Sequence, residues 1–362
     1  MKICFIGPAN SSHIVKWCTW FSEHGHGVHL ISFTPGEIQG TIVHVVDIHV
    51  DPNGSDFVKL KYLMTGRKIR KLVENIKPDI VNVHYATSYG IAIALSGISN
   101  YVLSVWGSDI YDFPKKSIFH KALLKYSLWR AKYLFSTSKA MAKEAAKYTG
   151  KKFEITPFGV DMNLFNPNKR TRNKKDGVLV VGTIKALVPK YGIDYLIKAI
   201  AEIAKLRPDI KIHLRIAGNG KNVDDYIALA KEEGIDNITT WLGFISQEDC
   251  AKEWADMDIA VVISTLESES FGVSAIEAEA CSVPVIVSDI PGLMETTLPG
   301  ITSIVVKRMN IEETRDAIIK LCDNAQLREK IGQEGRKYVI SKYEMNLCFE
   351  HIKKIFEEYV YI

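Results

Sequence analysis

The chain has 362 residues, 47% of them hydrophobic and 24% charged, with a formal net charge of +4 at pH 7. That length holds about two domains of ordinary size, each able to bury a core, and the balance is that of a soluble globular protein. No apolar run approaches the roughly 20 residues of a membrane-spanning helix. The six cysteines form no C-x-x-C pair, so buried free thiols in a reducing compartment are expected.

Met1-Lys2 leads straight into an apolar strand at residues 3–6, so no signal peptide is expected and the location read from it is cytoplasmic. A loop at 7–12 precedes an amphipathic helix at 13–24, which Gly25–Gly27 terminates before a strand at 28–32. A strand at 41–46, a helical stretch at 58–76 and a strand at 80–84 follow. Next come a strand at 101–106, a helix at 117–133, a strand at 133–137, a helix at 141–149 and a strand at 152–156. This alternation is that of a doubly wound parallel sheet.

Charge divides unevenly. Residues 1–158 carry 20 Lys+Arg against 11 Asp+Glu, and residues 159–362 carry 26 against 31. The basic residues of the first half bunch at 59–77 and 115–132. The second bunch, KKSIFHKALLKYSLWRAKYL, has helical period with Ile118, Leu123, Leu124, Leu128 and Trp129 among its apolar positions. A basic amphipathic helix with aromatics suits an anionic membrane surface at the inner face of the membrane. The same pattern also serves a solvated helix packing its apolar side on a sheet. No nucleic-acid-binding motif accompanies it, so no nucleic-acid partner is expected.

A polar stretch at 166–176 reads as a linker between a first domain, 1–165, and a second, 177–340, with 341–362 expected as a helix crossing back to the first. The second domain repeats the pattern: strand 177–181, loop 182–190, helix 194–206, strand 211–217, helix 222–233, strand 238–242 and helix 247–255. A strand at 259–263, a glycine turn at 271–273, a helix at 274–281 and a strand at 284–287 then form a βαβ unit, and residues 311–359 read as helical. Two such α/β halves are expected to face each other across a cleft, where small-molecule sites form.

Neither half carries a nicotinamide fingerprint: Gly7 is followed by PANSSH, and Gly218-Asn219-Gly220 lacks the third glycine. Walker A and H-E-x-x-H sequences are absent, and no metal-ligand cluster emerges. Asp256-Met257-Asp258 spells D-x-D but sits at a helix-to-strand junction, which favours a structural role.

Glu269 and Glu277 frame the glycine turn with seven residues between them. This stretch resembles the E-x7-E motif of retaining family 4 glycosyltransferases, which have the GT-B fold of two facing Rossmann-like domains. Further segments are similar in order: PFGVDMNLF (157–165), VGTIKALVPKYGIDYLIKAI (181–200), IAGNG (216–220) and CSVPVIVSDIPGLMET (281–296). NSSHIVKW with GHGVHLIS, and SVWGSDIYD (104–112), resemble the acceptor half of a bacterial surface-polysaccharide subgroup.

The resemblance implies transfer of a hexose, with retention, from a UDP- or GDP-linked sugar to a saccharide or lipid-linked acceptor, without a required cofactor or metal. Glu269 is then expected to bind the donor hexose and Glu277 the ribose, since a carboxylate accepts two hydroxyl donors. Ser274-Ala-Ile-Glu277 also spells a capping box, the structural alternative for Glu277, over which the family match favours ribose binding. Phe271, Gly272, Val273 and Ser274 supply the amide turn and helix start that a diphosphate favours. Lys190, with Lys185 as the rival, is expected on the diphosphate, and Gly182, Thr183, Gly218 and Phe244 complete the donor side. Asn10, Ser11, Ser12, His13, His84, Trp106 and Asp109 make up the acceptor side. The chain departs from the family pattern twice, with Thr183 in place of the usual arginine and Trp106 in place of a histidine. A catalytically silent scaffold and a nucleotide-sugar epimerase are the competing readings.

Overall fold

The computed structural model describes residues 1–47, 65–172 and 177–361. The chain divides into two compact units, Met1–Phe158 with Cys348–Ile362, and Gly159–Leu347.

The first unit is built on seven parallel strands: β1 (Lys2–Ile6), β2 (Gly27–Ser32), β3 (Thr41–Val45), β4 (Ile80–His84), β5 (Val102–Val105), β6 (Tyr133–Ser136) and β7 (Phe153–Ile155). Their order is β3-β2-β1-β4-β5-β6-β7. The inner strands are apolar almost throughout because both faces are covered by helices; Ile3, Cys4, Phe5 and Ile6 of β1 are all fully buried. The chain runs outward from β1 to β3, then returns to place β4 on the other side of β1, so the topological switch point lies between β1 and β4. In such sheets ligands bind beyond the carboxyl ends of the strands at that point.

The second unit repeats the plan with β8 (Leu179–Ile184), β9 (Ile212–Ala217), β10 (Thr239–Gly243), β11 (Ile259–Val262), β12 (Val285–Ser288) and β13 (Ser303–Val306). The order β10-β9-β8-β11-β12-β13 puts its switch point between β8 and β11. Two departures from expectation stand out. Residues 182–184 continue β8 rather than opening a loop, because this central strand is hydrogen-bonded to β9 as far as Ile184. The short strand β13 was not foreseen, its four residues lying between a Pro-Gly turn and a basic loop.

Residues 58–64 of the expected helix at 58–76 lie outside the described residues; Gly66–Ile76 is helical. Residues 173–176 of the expected linker also lie outside them. Residues 166–172 are hydrogen-bonded into the second unit. Asp256 accepts the backbone N–H of Thr171 at 2.7 Å and of Arg172 at 2.8 Å, and Asp258 pairs with the Arg172 guanidinium. The D-x-D aspartates are therefore structural. The last helix, Met345–Tyr361, places Phe349 and Phe356 in the first unit, against Trp17, Trp20, Phe21 and Phe135.

Candidate functional site

At the carboxyl ends of β8 and β11 the chain assembles a compact charged cluster. Lys185, the first residue past β8, donates from Nζ to Glu269 Oε2 at 2.9 Å. Both side chains are 9% exposed. Glu269 also accepts from Ser264 Oγ at 3.3 Å and, through Oε1, from the Gly272 backbone N–H at 3.1 Å. Burial alone would raise the Glu269 pKa, but the charge and hydrogen bond of Lys185, with Lys190 adding to them, hold it below the usual carboxylate range. Burial works against the Lys185 charge too, yet Glu269 beside it lifts the ammonium above its ordinary value.

Local backbone geometry fixes these groups. Gly218 lies at φ +133° with its Cα pressed against the chain leaving β8, where an added Cβ would sit 1.8 Å from the Lys185 carbonyl oxygen. Gly272, at φ +71°, turns the chain into the helix Val273–Ala280. A side chain there would be strained and would meet Leu293. The capping box read at Ser274–Glu277 does not form. Ser274 lies inside the helix, and its hydroxyl donates to the Ile184 carbonyl at 3.0 Å; the helix start is held instead by the Glu269 carboxylate on Gly272 N–H. Glu277 is buried and close enough to Lys185 to raise its pKa further.

Lys190 lies in the turn Pro189–Tyr191, whose carbonyl at Lys190 accepts Thr265 N–H at 2.7 Å. Its ammonium is 5.4 Å from the centre of the Tyr191 ring, and that of Lys185 is 4.9 Å from the same centre. Both candidate cations therefore gather at one tyrosine. Among the remaining donor-side candidates, Phe271 is buried, Val273 opens the helix, and Phe244 is 84% exposed just beyond β10. Gly182 and Thr183 lie within β8, with Thr183 buried, so they line the sheet rather than a loop. Tyr191, Ser264 and Thr265 were missed by sequence reasoning; for Tyr191 a signal existed, an aromatic between a loop lysine and Gly192.

In the first unit the candidates gather at the ends of β1, β4 and β5. His13, near the start of the helix Ser12–Glu23, stacks on Phe158 at 3.9 Å between ring centres and meets Trp106 edge-on at 5.6 Å. His84, fully buried at the end of β4, lies 4.8 Å from Trp17 and 5.4 Å from Trp106. Burial takes the pKa of each histidine down to about 3, so both are neutral at pH 7. Asp109 is almost fully buried, and its carboxylate accepts the backbone N–H groups of Ala86 at 2.9 Å, Trp106 at 3.1 Å and Gly107 at 2.7 Å. It ties the loops after β4 and β5 together. Asn10 and Ser11 lie in the loop after β1 and Ser12 opens the helix; Asn10 and Ser12 are exposed, and Ser11 N–H donates to Pro8 O.

Two parallel sheets of this kind, of seven and six strands, define the GT-B glycosyltransferase fold. Residues 2–138 match the family described as Glycosyl transferase 4-like, and residues 165–338 that described as Glycosyl transferases group 1. An uncharacterised glycosyltransferase of Methanocaldococcus jannaschii is 27% identical over 90% of this chain and 88% of its own length. A GDP-mannose-dependent monoacylated alpha-(1-6)-phosphatidylinositol monomannoside mannosyltransferase of Corynebacterium glutamicum is 30% identical over 57% of this chain. That match spans 56% of the relative's length. The crystal structure of Anabaena HepE in complex with UDP superposes with a TM-score of 0.82 over 99% of this chain and all of that one, at 16% identity. The chain belongs to these family 4-like glycosyltransferases of GT-B fold.

Proposed function

We propose that this glycosyltransferase moves a hexosyl group from a nucleoside-diphosphate sugar to a hydroxyl of a saccharide or lipid-linked acceptor, with retention, in the making of a cell-surface polysaccharide. The observation that carries the reading is the Lys185–Glu269 pair at the switch point of the second unit. A nucleoside diphosphate leaving the sugar gains negative charge, which cations and helix-start amides offset. In this reading Lys190 and Lys185 hold the diphosphate, while the 271–274 turn gives it backbone amides. Glu269 then takes hydroxyls of the donor hexose, and Glu277 those of the ribose. UDP in the HepE structure and GDP-mannose in the name of the Corynebacterium relative support a nucleotide sugar as donor.

The bond from the anomeric carbon to the phosphate oxygen breaks as the bond to the acceptor oxygen forms on the same face, and the departing phosphate oxygen accepts the acceptor's proton. A double displacement with Glu269 as nucleophile needs a partnered acid, and the group paired with the Glu269 carboxylate is a lysine instead. No metal is assigned a step, so activity should survive EDTA.

The helix Ile118–Arg130 supports contact with an anionic membrane. Leu124 and Leu128 are buried, while Ile118 is 89%, Phe119 55% and Trp129 65% exposed among exposed Lys115, Lys116, Lys121, Lys125 and Lys132. Among the described residues no helix is long and apolar enough to cross a membrane.

A thermal-shift screen of UDP, GDP and their sugars tests the donor. A nucleotide at a hundred times its Kd adds about 2.7 kcal/mol of stability. NMR of the product then reads the anomeric linkage, and inversion sinks the retaining assignment. Co-sedimentation with phosphatidylglycerol vesicles tests the membrane; binding unaffected by Trp129→Glu refutes that surface.

A further inference from the structure

At the carboxyl end of β4, Tyr85 holds φ +80°, a conformation that a bulky residue rarely adopts. Its backbone is pinned on both sides: Tyr85 N–H donates to Ser104 O at 2.9 Å, and its own carbonyl accepts Gly90 N–H at 2.9 Å. A glycine would make both bonds without strain, so what the tyrosine adds is its ring. The phenol hydroxyl bonds the Ser108 hydroxyl, and the ring meets Trp106 edge-on at 6.1 Å. Strain retained at a strand end beside a switch point is a mark of a functional position.

The next peptide is fixed as well. Asp109 accepts Ala86 N–H from the β4 loop together with Trp106 and Gly107 N–H from the β5 loop, so one carboxylate sets Tyr85 and Trp106 in register. Both residues are half-buried. The polar groups around them carry no free charge: the Asp109 carboxylate is taken up by three amides, and His13 and His84 are neutral. The His13 Nδ1 and both nitrogens of His84 have no hydrogen-bond partner among the described residues. A rigid, uncharged corner made by two aromatic rings set edge to face matches a neutral sugar ring, whose apolar C–H face can lie on one ring while its hydroxyl rim stays outside.

We propose that Tyr85 and Trp106, held by Asp109 as a positioning residue, form an aromatic seat for a neutral pyranose ring of the acceptor. The proposal rests on the glycosyl-transfer reading and adds the acceptor's chemistry to it: the hydroxyl attacked is borne by, or adjoins, an uncharged pyranose. The family's histidine is thereby replaced by a stacking surface at Trp106.

Saturation-transfer NMR with methyl β-D-glucopyranoside, methyl β-D-galactopyranoside and methyl α-D-mannopyranoside, in the presence of the nucleotide that gives the largest thermal shift, tests this. At least one pyranoside should receive saturation concentrated on the C–H groups of one ring face. Trp106→Ala and Tyr85→Gly should each weaken that binding at least tenfold, and Trp106→Phe should restore most of it. Tyr85→Gly removes the backbone strain, so its melting temperature should hold or rise while glycoside binding is lost, a split that a purely structural tyrosine would not give. Unchanged glycoside affinity in both variants overturns the proposal, as does absence of pyranoside binding while the nucleotide binds normally. Absence of any nucleotide shift overturns the glycosyl-transfer reading, and this proposal with it.

Discussion

Replacing Lys185 with methionine leaves the Glu269 carboxylate buried without its cation. The two charges lie 2.9 Å apart, each side chain only 9% exposed, so water screens them little. Removing one partner of such a pair costs about 3–5 kcal/mol, because the survivor keeps its desolvation penalty without the attraction that offset it. Glu269→Gln, which leaves Lys185 unpaired, should cost a similar amount. The double variant should cost no more than either single one, giving a coupling of about 3 kcal/mol or more in a double-mutant cycle. For a unit of this size each kcal/mol moves the melting temperature by about 2–4 °C, so the single variants should melt roughly 6–20 °C lower.

The pH dependence gives a second reading of the same pair. In the wild type Glu269 has a lowered pKa. Its contribution is therefore present above the unfolded carboxylate value and lost as pH falls through the folded one. In Lys185→Met burial dominates and the Glu269 pKa rises, so that variant should instead lose stability as pH increases. Urea unfolding of the four proteins from pH 4 to 8 measures both. Single variants that each cost under about 1 kcal/mol and add without coupling would refute the buried-pair reasoning.

Other outcomes follow from groups elsewhere. Burial pushes the Glu279 carboxyl up to about 8, and neither oxygen has a hydrogen bond of normal length among the described residues. The wild type should therefore lose stability as pH rises from about 4.5 to 8, by at most about 4–5 kcal/mol. Glu279→Gln should abolish that slope and melt higher at pH 8; parallel pH curves would contradict this. His13 and His84, with pKa about 3 folded against an ordinary 6.5, bind fewer protons folded than unfolded. Stability should fall as pH drops below 6.5, by up to about 1.4 kcal/mol per pH unit for each, and His84→Leu should shed its share of that slope in acid unfolding curves. Phe356→Ala, which empties a fully buried position against Phe21 and Phe135, should cost about 3–5 kcal/mol and lower the first unit's transition in calorimetry.

The doubly wound pattern was legible because parallel strands buried on both faces write themselves as short apolar runs, as in CFI of β1 and VVI after Ala260. The carboxylates around the glycine turn were legible too, since Glu269 and Glu277 stand on either side of Gly272 with seven residues between them. Contacts between distant segments were not. Nothing in the sequence around Lys185 announces Glu269 as its partner, and only the pairing of β8 with β11 brings them together. Thr183 was read as part of a loop because a glycine preceded it, yet its pairing with Ile216 of β9 outweighed that local signal. The resemblance placed Asp109 on the acceptor side, to contact the acceptor or to orient a neighbour; the three amide donors that it holds come from backbone, which has no letter in the sequence. The φ of Tyr85 likewise follows from hydrogen bonds to Ser104 and Gly90, and no residue preference foretells it.

The return of the last helix to the first unit also sets an order of events on the ribosome. The first sheet is complete by Ile155, but its aromatic cover arrives with Phe349 and Phe356, after the whole of Gly159–Leu347 has been made. At ordinary translation speeds that interval is roughly ten to forty seconds. Through it the nascent first unit holds Trp17, Trp20 and Phe21 without their final partners, so its completion is tied to the making of its neighbour. A sheet begun by the first residues of the chain is closed by nearly the last, and the two units reach maturity together although they are translated one after the other.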